Sequence, residues 1–156
     1  MQHQLSRPLV LGSSSTYRRQ LLERLGLPFM VQSPGVDETP LPGEAPAALA
    51  ARLALAKAHA VAEQFPQSVV IGCDQVADLH GTSLGKPGTH ERATAQLQSM
   101  RGHTVVFQTA MAVVCRATGF ESQTLAPVVV KYRNLSDAEI EYYLRAEQPY
   151  DCAGSA

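Results

Sequence analysis

The stretch Leu9-Val10-Leu11-Gly12-Ser13-Ser14-Ser15-Thr16-Tyr17-Arg18-Arg19-Gln20-Leu21-Leu22 decides how the chain is read. An apolar run breaks into a hydroxyl-rich turn, and two arginines then open an amphipathic segment. That order predicts a buried strand, a tight loop and a helix N-terminus. Such a junction aims several backbone N–H groups at one spot, where the helix dipole favours negative charge. The hydroxyls of Ser13 to Thr16 can cap the helix, and Arg18 and Arg19 add forked cations suited to phosphate. Taken alone, the stretch supports two readings: an anion cradle, or a capped surface helix with solvated arginines. Neither G-x-x-x-x-G-K-[ST] nor a strand-borne G-x-G-x-x-G is present.

Outward from this start, strand and helix signals alternate. Pro8 to Gly12 reads as a strand and Thr16 to Leu25 as a helix closed by Gly26. Phe29 to Gln32 is a short strand, and Ser33 to Gly43 a Pro/Gly-rich loop. Ala45 to Phe65 is a long Ala/Leu helix with Pro46 in its first turn. Ser68 to Asp78 is a strand with a buried head, Val69-Val70-Ile71, and Ala77 to Gly85 reads as a hairpin turning at His80-Gly81-Thr82-Ser83. His90 to Met100 is a helix. His103 to Cys115 and Glu121 to Arg133 form a long hairpin around Ala117-Thr118-Gly119. Ser136 with Glu139 makes a capping box, which opens a helix to Arg145. Together these predict an α/β fold with a mixed sheet and helices on its faces, in one domain spanning residues 1–156.

Composition narrows the function. Apolar residues make up 45% of the chain and charged residues 17%, as in ordinary globular proteins. A net charge of −1 gives no general attraction to nucleic acid or to membrane, so any anion recognition must be local. No apolar run reaches the ~20 residues of a membrane span, and Met1 to Pro8 lacks a signal-peptide core. Cys73, Cys115 and Cys152 are odd in number and far apart, which points to a reducing, cytoplasmic setting rather than a disulfide frame. The histidines show no metal-ligand spacing. A hard cation held by carboxylates and phosphate stays open.

Four further spots could carry chemistry. Val36-Asp37-Glu38 places paired acids in a loop, either as cation ligands or a base, or as a solvated polar turn. Lys57 sits among Ala54, Leu55, Ala56 and Ala58, where it either snorkels to water or faces a phosphate. Asp74, in Gly72-Cys73-Asp74-Gln75, ends a buried strand, where α/β sheets usually place catalytic groups. Lys86 lies between Gly85 and Pro87, as a rigidly held cation or a plain turn lysine. Cations from separate segments with two carboxylates match the needs of attack on a polyphosphate.

These residues bring a family into view. Gly12 to Arg19, Val36-Asp37-Glu38-Thr39, Leu55-Ala56-Lys57-Ala58, Ile71 to Val76, Gly85-Lys86-Pro87, Arg101 to Val105 and Asp151-Cys152-Ala153-Gly154-Ser155 stand in one order and spacing. On them the chain resembles the Maf-like nucleoside triphosphate pyrophosphatases from Leu9 to its last residue. The resemblance implies a three-layer α/β/α fold of the Maf/ITPase kind, with an elongated mixed sheet and two lobes around a cleft. It implies hydrolysis of a nucleoside triphosphate to the monophosphate and pyrophosphate, dependent on a divalent cation, Mg²⁺ or Mn²⁺. It puts Asp74 on the family's proton acceptor, and Ser13, Arg18, Lys57 and Lys86 on its phosphate-binding positions. Glu38, with Asp74, falls on the acids near the metal.

Within the family, Asp74-Gln75, an aromatic before the arginine pair and Cys152-Ala153-Gly154-Ser155 resemble the YceF-like branch, which hydrolyses 7-methyl-GTP. Branches acting on dTTP and UTP carry Asp-Thr in place of Asp74-Gln75. The positive ring of N7-methylguanine suits an aromatic face such as Tyr17, and the Gln75 amide can donate or accept at a base edge. The family usually runs on roughly 40 residues past Ala-Gly-Ser, so the chain is expected to lack that segment. Gln108-Thr109-Ala110 stands where relatives commonly have a glycine after the threonine. The expected partner is the nucleotide, without nucleic acid or membrane, and a homodimer is compatible with all of this. The alternative function is a nucleotide-binding regulator with little or no turnover, since the family has been tied to septum formation and cell-division arrest.

Overall fold

A computed structural model describes residues 5–156. The alternation expected from the sequence is present: the described residues form an α/β arrangement with four α-helices and a six-stranded mixed sheet. Strands run in the order β2-β1-β3-β5-β6, with β4 paired to β3 alone. The chain divides into two compact units, each described in turn.

The first unit takes residues 5–41, Ala50–Asp74 and Ala110–Leu125. It holds β1 (Leu9–Gly12), α1 (Thr16–Glu23), β2 (Met30–Val31), most of α2 (Pro46–Gln64) and the first half of β3 (Val69–Leu79). β1 pairs in parallel with β2 and with β3, in a register that sets Gly12 opposite Gly72. Leu9, Val10, Leu11 and Val70 are all buried, as an apolar run in a parallel sheet should be. Helix α2 buries Leu53, Ala54, Ala58, Val61 and Ala62. Alanine gives that face high helix propensity and little bulk, so backbone can approach backbone. Gly72 marks the contact: a Cβ there would lie 2.3 Å from the Ala54 carbonyl and 2.5 Å from the Ala58 nitrogen.

The second unit takes Pro42–Leu49, Gln75–Thr109 and 126–156. β4 (Thr82–Leu84) folds back on β3 through His80 and Gly81, with Ala77 opposite Leu84. Both turn residues have positive φ, 51° and 86°, the requirement of a two-residue hairpin matching strand twist. Helix α3 (His90–Met100), capped by Thr89, packs on α4 (Asp137–Glu147). The predicted capping box is present, with Glu139 N donating to Ser136 Oγ at 3.1 Å and Ser136 N to Glu139 Oε2 at 2.8 Å. Ala77, Ala93, Leu97, Met100, Val105, Phe107, Ile140 and Leu144 form this unit's core.

β5 (Thr104–Cys115) and β6 (Phe120–Lys131) run through both units as the expected hairpin. Element ends differ from the sequence reading by one or two residues, and one short element was not anticipated. α1 stops at Glu23, and Arg24 to Gly26 form a turn with Gly26 at φ +66°. Ala153–Ser155 is a 3₁₀ turn that no local signal announced. No helix among the described residues is long and apolar enough to cross a membrane.

Candidate active site

Six of the residues singled out from the sequence lie in the first unit. Ser13 follows β1 and is buried. Its Oγ accepts from Ser15 N at 3.2 Å and from Arg18 Nη1 at 3.3 Å. Ser15 in turn caps α1 by accepting from Arg18 N. Arg18 Nη1 also donates to the Cys73 carbonyl at 3.1 Å, which ties the start of α1 to β3 one residue before Asp74. The strand–loop–helix junction is therefore a built structure and not a loose surface cap. Tyr17, next to Arg18 in the chain, is 57% exposed, whereas Arg19 pairs with Glu23 one turn along α1.

Lys57 is the centre of the arrangement. It does not snorkel: it is 5% exposed, and its Nζ donates to Asp74 Oδ1 at 2.7 Å and Glu38 Oε1 at 2.5 Å. Asp74, 6% exposed, arrives from the middle of β3 and not from the strand end that the sequence suggested, because the strand continues to Leu79; Lys57 comes from the middle of α2. The close contact at Gly72 sets the distance between those two elements. Glu38 comes from the Pro/Gly loop, and its neighbour Asp37 explains how that loop holds its course. Asp37 Oδ1 accepts from the hydroxyl and the amide of Thr39, at 2.6 and 2.9 Å. Arg52 of α2 then donates to the Thr39 carbonyl at 3.1 Å. Of the paired acids, Asp37 folds the loop and Glu38 reaches the site.

The electrostatics follow from burial. Desolvation pushes the Asp74 carboxyl above its ordinary range, and Glu38 adds to the rise. The hydrogen bond and charge of Lys57, and the charge of Arg18, pull against it. Burial also raises the Cys73 thiol, so that residue contributes its carbonyl rather than a reactive thiolate. Asp37 is held low by its bonds to Thr39.

The chemistry of the donors suits a hard divalent cation. Two carboxylate oxygens that touch one ammonium lie no more than about 5 Å apart, and Glu38 opens to solvent. Among the described residues no group of three or more His, Cys, Asp or Glu side chains could enclose a metal. A cation such as Mg²⁺ needs no such cage, because one or two carboxylates with phosphate oxygens and water complete its shell.

The other two predicted residues belong to the second unit. Gln75 follows Asp74 on β3, and its amide donates to Thr109 Oγ1 at 2.8 Å. Lys86 is exposed, just beyond β4, on a loop whose flanking Pro87 is fully buried. The sequence reading missed Thr109, Arg52 and the Cys73 carbonyl as supports, because each acts through a partner distant in sequence.

The model of the Maf-like protein family matches residues 8–156. The chain belongs to the Maf-like family. A relative from Polaromonas sp. is 74% identical over 97% of this chain and 69% of its own length. One from Albidiferax ferrireducens is 64% identical over 100% of this chain and 78% of its own. A third, from Methylobacillus flagellatus, is 58% identical over 96% of this chain and 78% of its own. All three Maf-like relatives are named 7-methyl-GTP pyrophosphatase.

Proposed function

We propose that this chain is a nucleoside triphosphate pyrophosphatase that hydrolyses the α–β phosphate bond of 7-methyl-GTP, giving the monophosphate and pyrophosphate. The observation that carries the reading is the buried Asp74 carboxylate, held on Lys57 beside the Ser13–Arg18 junction. Burial keeps this carboxylate basic, while the Lys57 ammonium holds it ionised and oriented. In the reaction Asp74 accepts a proton from water as the water oxygen bonds to phosphorus. The bridging P–O bond breaks and its electron pair leaves with pyrophosphate. Ser13, Arg18, Lys57 and Lys86 are the proposed phosphate contacts, supplying a hydroxyl and fixed cations for charge that grows on the oxygens. Glu38 and Asp74 would hold the divalent cation, Mg²⁺ or Mn²⁺, whose charge neutralises phosphate oxygens and the leaving pyrophosphate.

For the base, we infer that Tyr17 offers a ring face to the cationic N7-methylguanine and that Gln75 meets its polar edge. The relatives' shared name supports this choice of nucleotide. Cys73, Cys115 and Cys152 form no disulfide, in keeping with the proposed cytoplasmic setting. The test is pyrophosphate release, with Mg²⁺, from 7-methyl-GTP, GTP, dTTP, UTP and CTP. Release fastest from 7-methyl-GTP is expected. No release from any of the five overturns the reading, and tight nucleotide binding without release favours a regulator.

A further inference from the structure

Lys86 stands on a loop held more firmly than a surface turn requires. On its N-terminal side the Gly85 carbonyl accepts two hydrogen bonds, from Gln96 Nε2 at 3.0 Å and from Gly154 N at 3.1 Å. On its C-terminal side Pro87 is fully buried, and Gly88 N donates to the Tyr150 carbonyl at 2.9 Å. The Tyr150 hydroxyl meets His90 Nδ1 at 2.8 Å, and His90 Nε2 meets Glu141 at 2.7 Å. The ammonium itself stays in solvent. Backbone this constrained under an exposed cation fixes where the charge can reach and lowers the entropy cost of using it.

Gln96 links the N-terminal side of the clasp to the Ala153–Ser155 turn. From α3 it donates to Gly85, and its Oε1 accepts from the Ser155 hydroxyl at 2.6 Å. A carbonyl oxygen can only accept, so the bond to Gly85 determines which end of the Gln96 amide faces it. Ser155 is completely buried in the 3₁₀ turn. That turn depends on Gly154, at φ +67°, where a Cβ would meet the Ala77 Cβ at 2.8 Å. The Ala153-Gly154-Ser155 motif thus meets the Lys86 loop twice, by the Gly154 amide directly and by the Ser155 hydroxyl through Gln96.

We propose that Gln96 is a positioning residue for Lys86, coupling the Ala153–Ser155 turn to the placement of a phosphate-binding cation. This rests on Lys86 as a phosphate contact, as given under the proposed function. The experiment is a double-mutant cycle of Gln96→Leu and Lys86→Met, read by binding of inorganic tripolyphosphate and by KM and kcat for 7-methyl-GTP. Melting temperature reports on folding. Gln96→Leu is expected to weaken tripolyphosphate binding and raise KM by about fivefold, with kcat within about twofold. In the Lys86→Met background the same change should alter either quantity by less than about twofold.

A residue that only stabilises the fold would cause equal losses in both backgrounds. That result, or wild-type affinity in Gln96→Leu, overturns the positioning role and leaves Lys86 as it was. Wild-type affinity in Lys86→Met overturns the phosphate role of Lys86, and the role of Gln96 with it. Should Gln96→Leu fail to fold, Ser155→Ala runs through the same cycle under the same criteria. It removes one end of the link and should cost about twofold to threefold.

Discussion

The Asp74 cluster and the Lys86 loop place charge in opposite ways. In the first unit, Lys57 and Asp74 are buried, and each is held mainly by the other's charge. In the second, Lys86 is exposed and its position comes from neutral hydrogen bonds to the backbone around it. A buried pair is sensitive to any loss of charge, because desolvation leaves the survivor uncompensated. A pinned loop is sensitive above all to geometry. The contrast suits a division of labour: proton transfer needs a shifted pKa, whereas phosphate binding needs a permanent cation at a fixed distance.

The largest effect should come from removing the proposed base. Asp74→Asn is expected to lower kcat for pyrophosphate release by about 10²- to 10⁴-fold, while nucleotide affinity, measured by calorimetry, changes far less. Equal losses in both would return Asp74 to a binding role. Next, Lys57→Met leaves two carboxylates facing each other without their ammonium and should cost about 3–5 kcal/mol in urea unfolding. It also removes the two main influences that lower Asp74, so the acid limb of the pH–rate profile should move further up. In the unmodified protein that limb is expected above the ordinary carboxylate value of 3.8, since the proposed role requires Asp74 ionised.

The same shift has a stability consequence. Folding raises the pKa of Asp74, so the fold favours its protonated form. Its contribution is complete below the ordinary carboxylate value and is lost as pH climbs through the raised one. Unfolding of Asp74→Asn across that range should lack this loss, and an unchanged pH slope would contradict the burial account.

Two glycines test the comparison directly. Gly72→Ala drives a Cβ into the α2 backbone around Lys57, and Gly154→Ala strains the turn behind Lys86. Each should cost about 1–3 kcal/mol of stability. The kinetics should separate them: Gly72→Ala lowers kcat, whereas Gly154→Ala raises KM. The same pattern from both would erase the distinction between the two regions. The smallest effect concerns the base. Tyr17→Leu should weaken the preference for 7-methyl-GTP over GTP by about 0.5–2 kcal/mol, read as a ratio of kcat/KM.

Legibility from sequence followed the range of the interaction. Pro8 to Gly12, the α2 alanines and the Ser136–Glu139 box were readable because periodicity and capping are local. The turn at His80-Gly81 was readable too, from its position between two apolar runs. Ala153–Ser155 was not, since its shape depends on Gly85, Gln96 and Ala77, which are far away in the chain. Among the acids, Asp37 and Glu38 looked equivalent. The family resemblance favoured Glu38, and the bonds of Asp37 to Thr39 and of Glu38 to Lys57 supply the physical reason.

The sequence by itself determined the element order, the family resemblance and which residue types could serve a polyphosphate, because patterns of period, cap and motif spacing are written in neighbouring residues. The tertiary structure alone decided the fate of Lys57. Nothing in Leu55-Ala56-Lys57-Ala58 distinguishes a snorkelling lysine from one locked between two carboxylates. That choice is made by Gly72, whose missing side chain lets α2 and β3 approach until ammonium and carboxylate share a buried bond. It also decided how Lys86 is held, since its loop takes its shape from hydrogen bonds to Gln96, Gly154 and Tyr150.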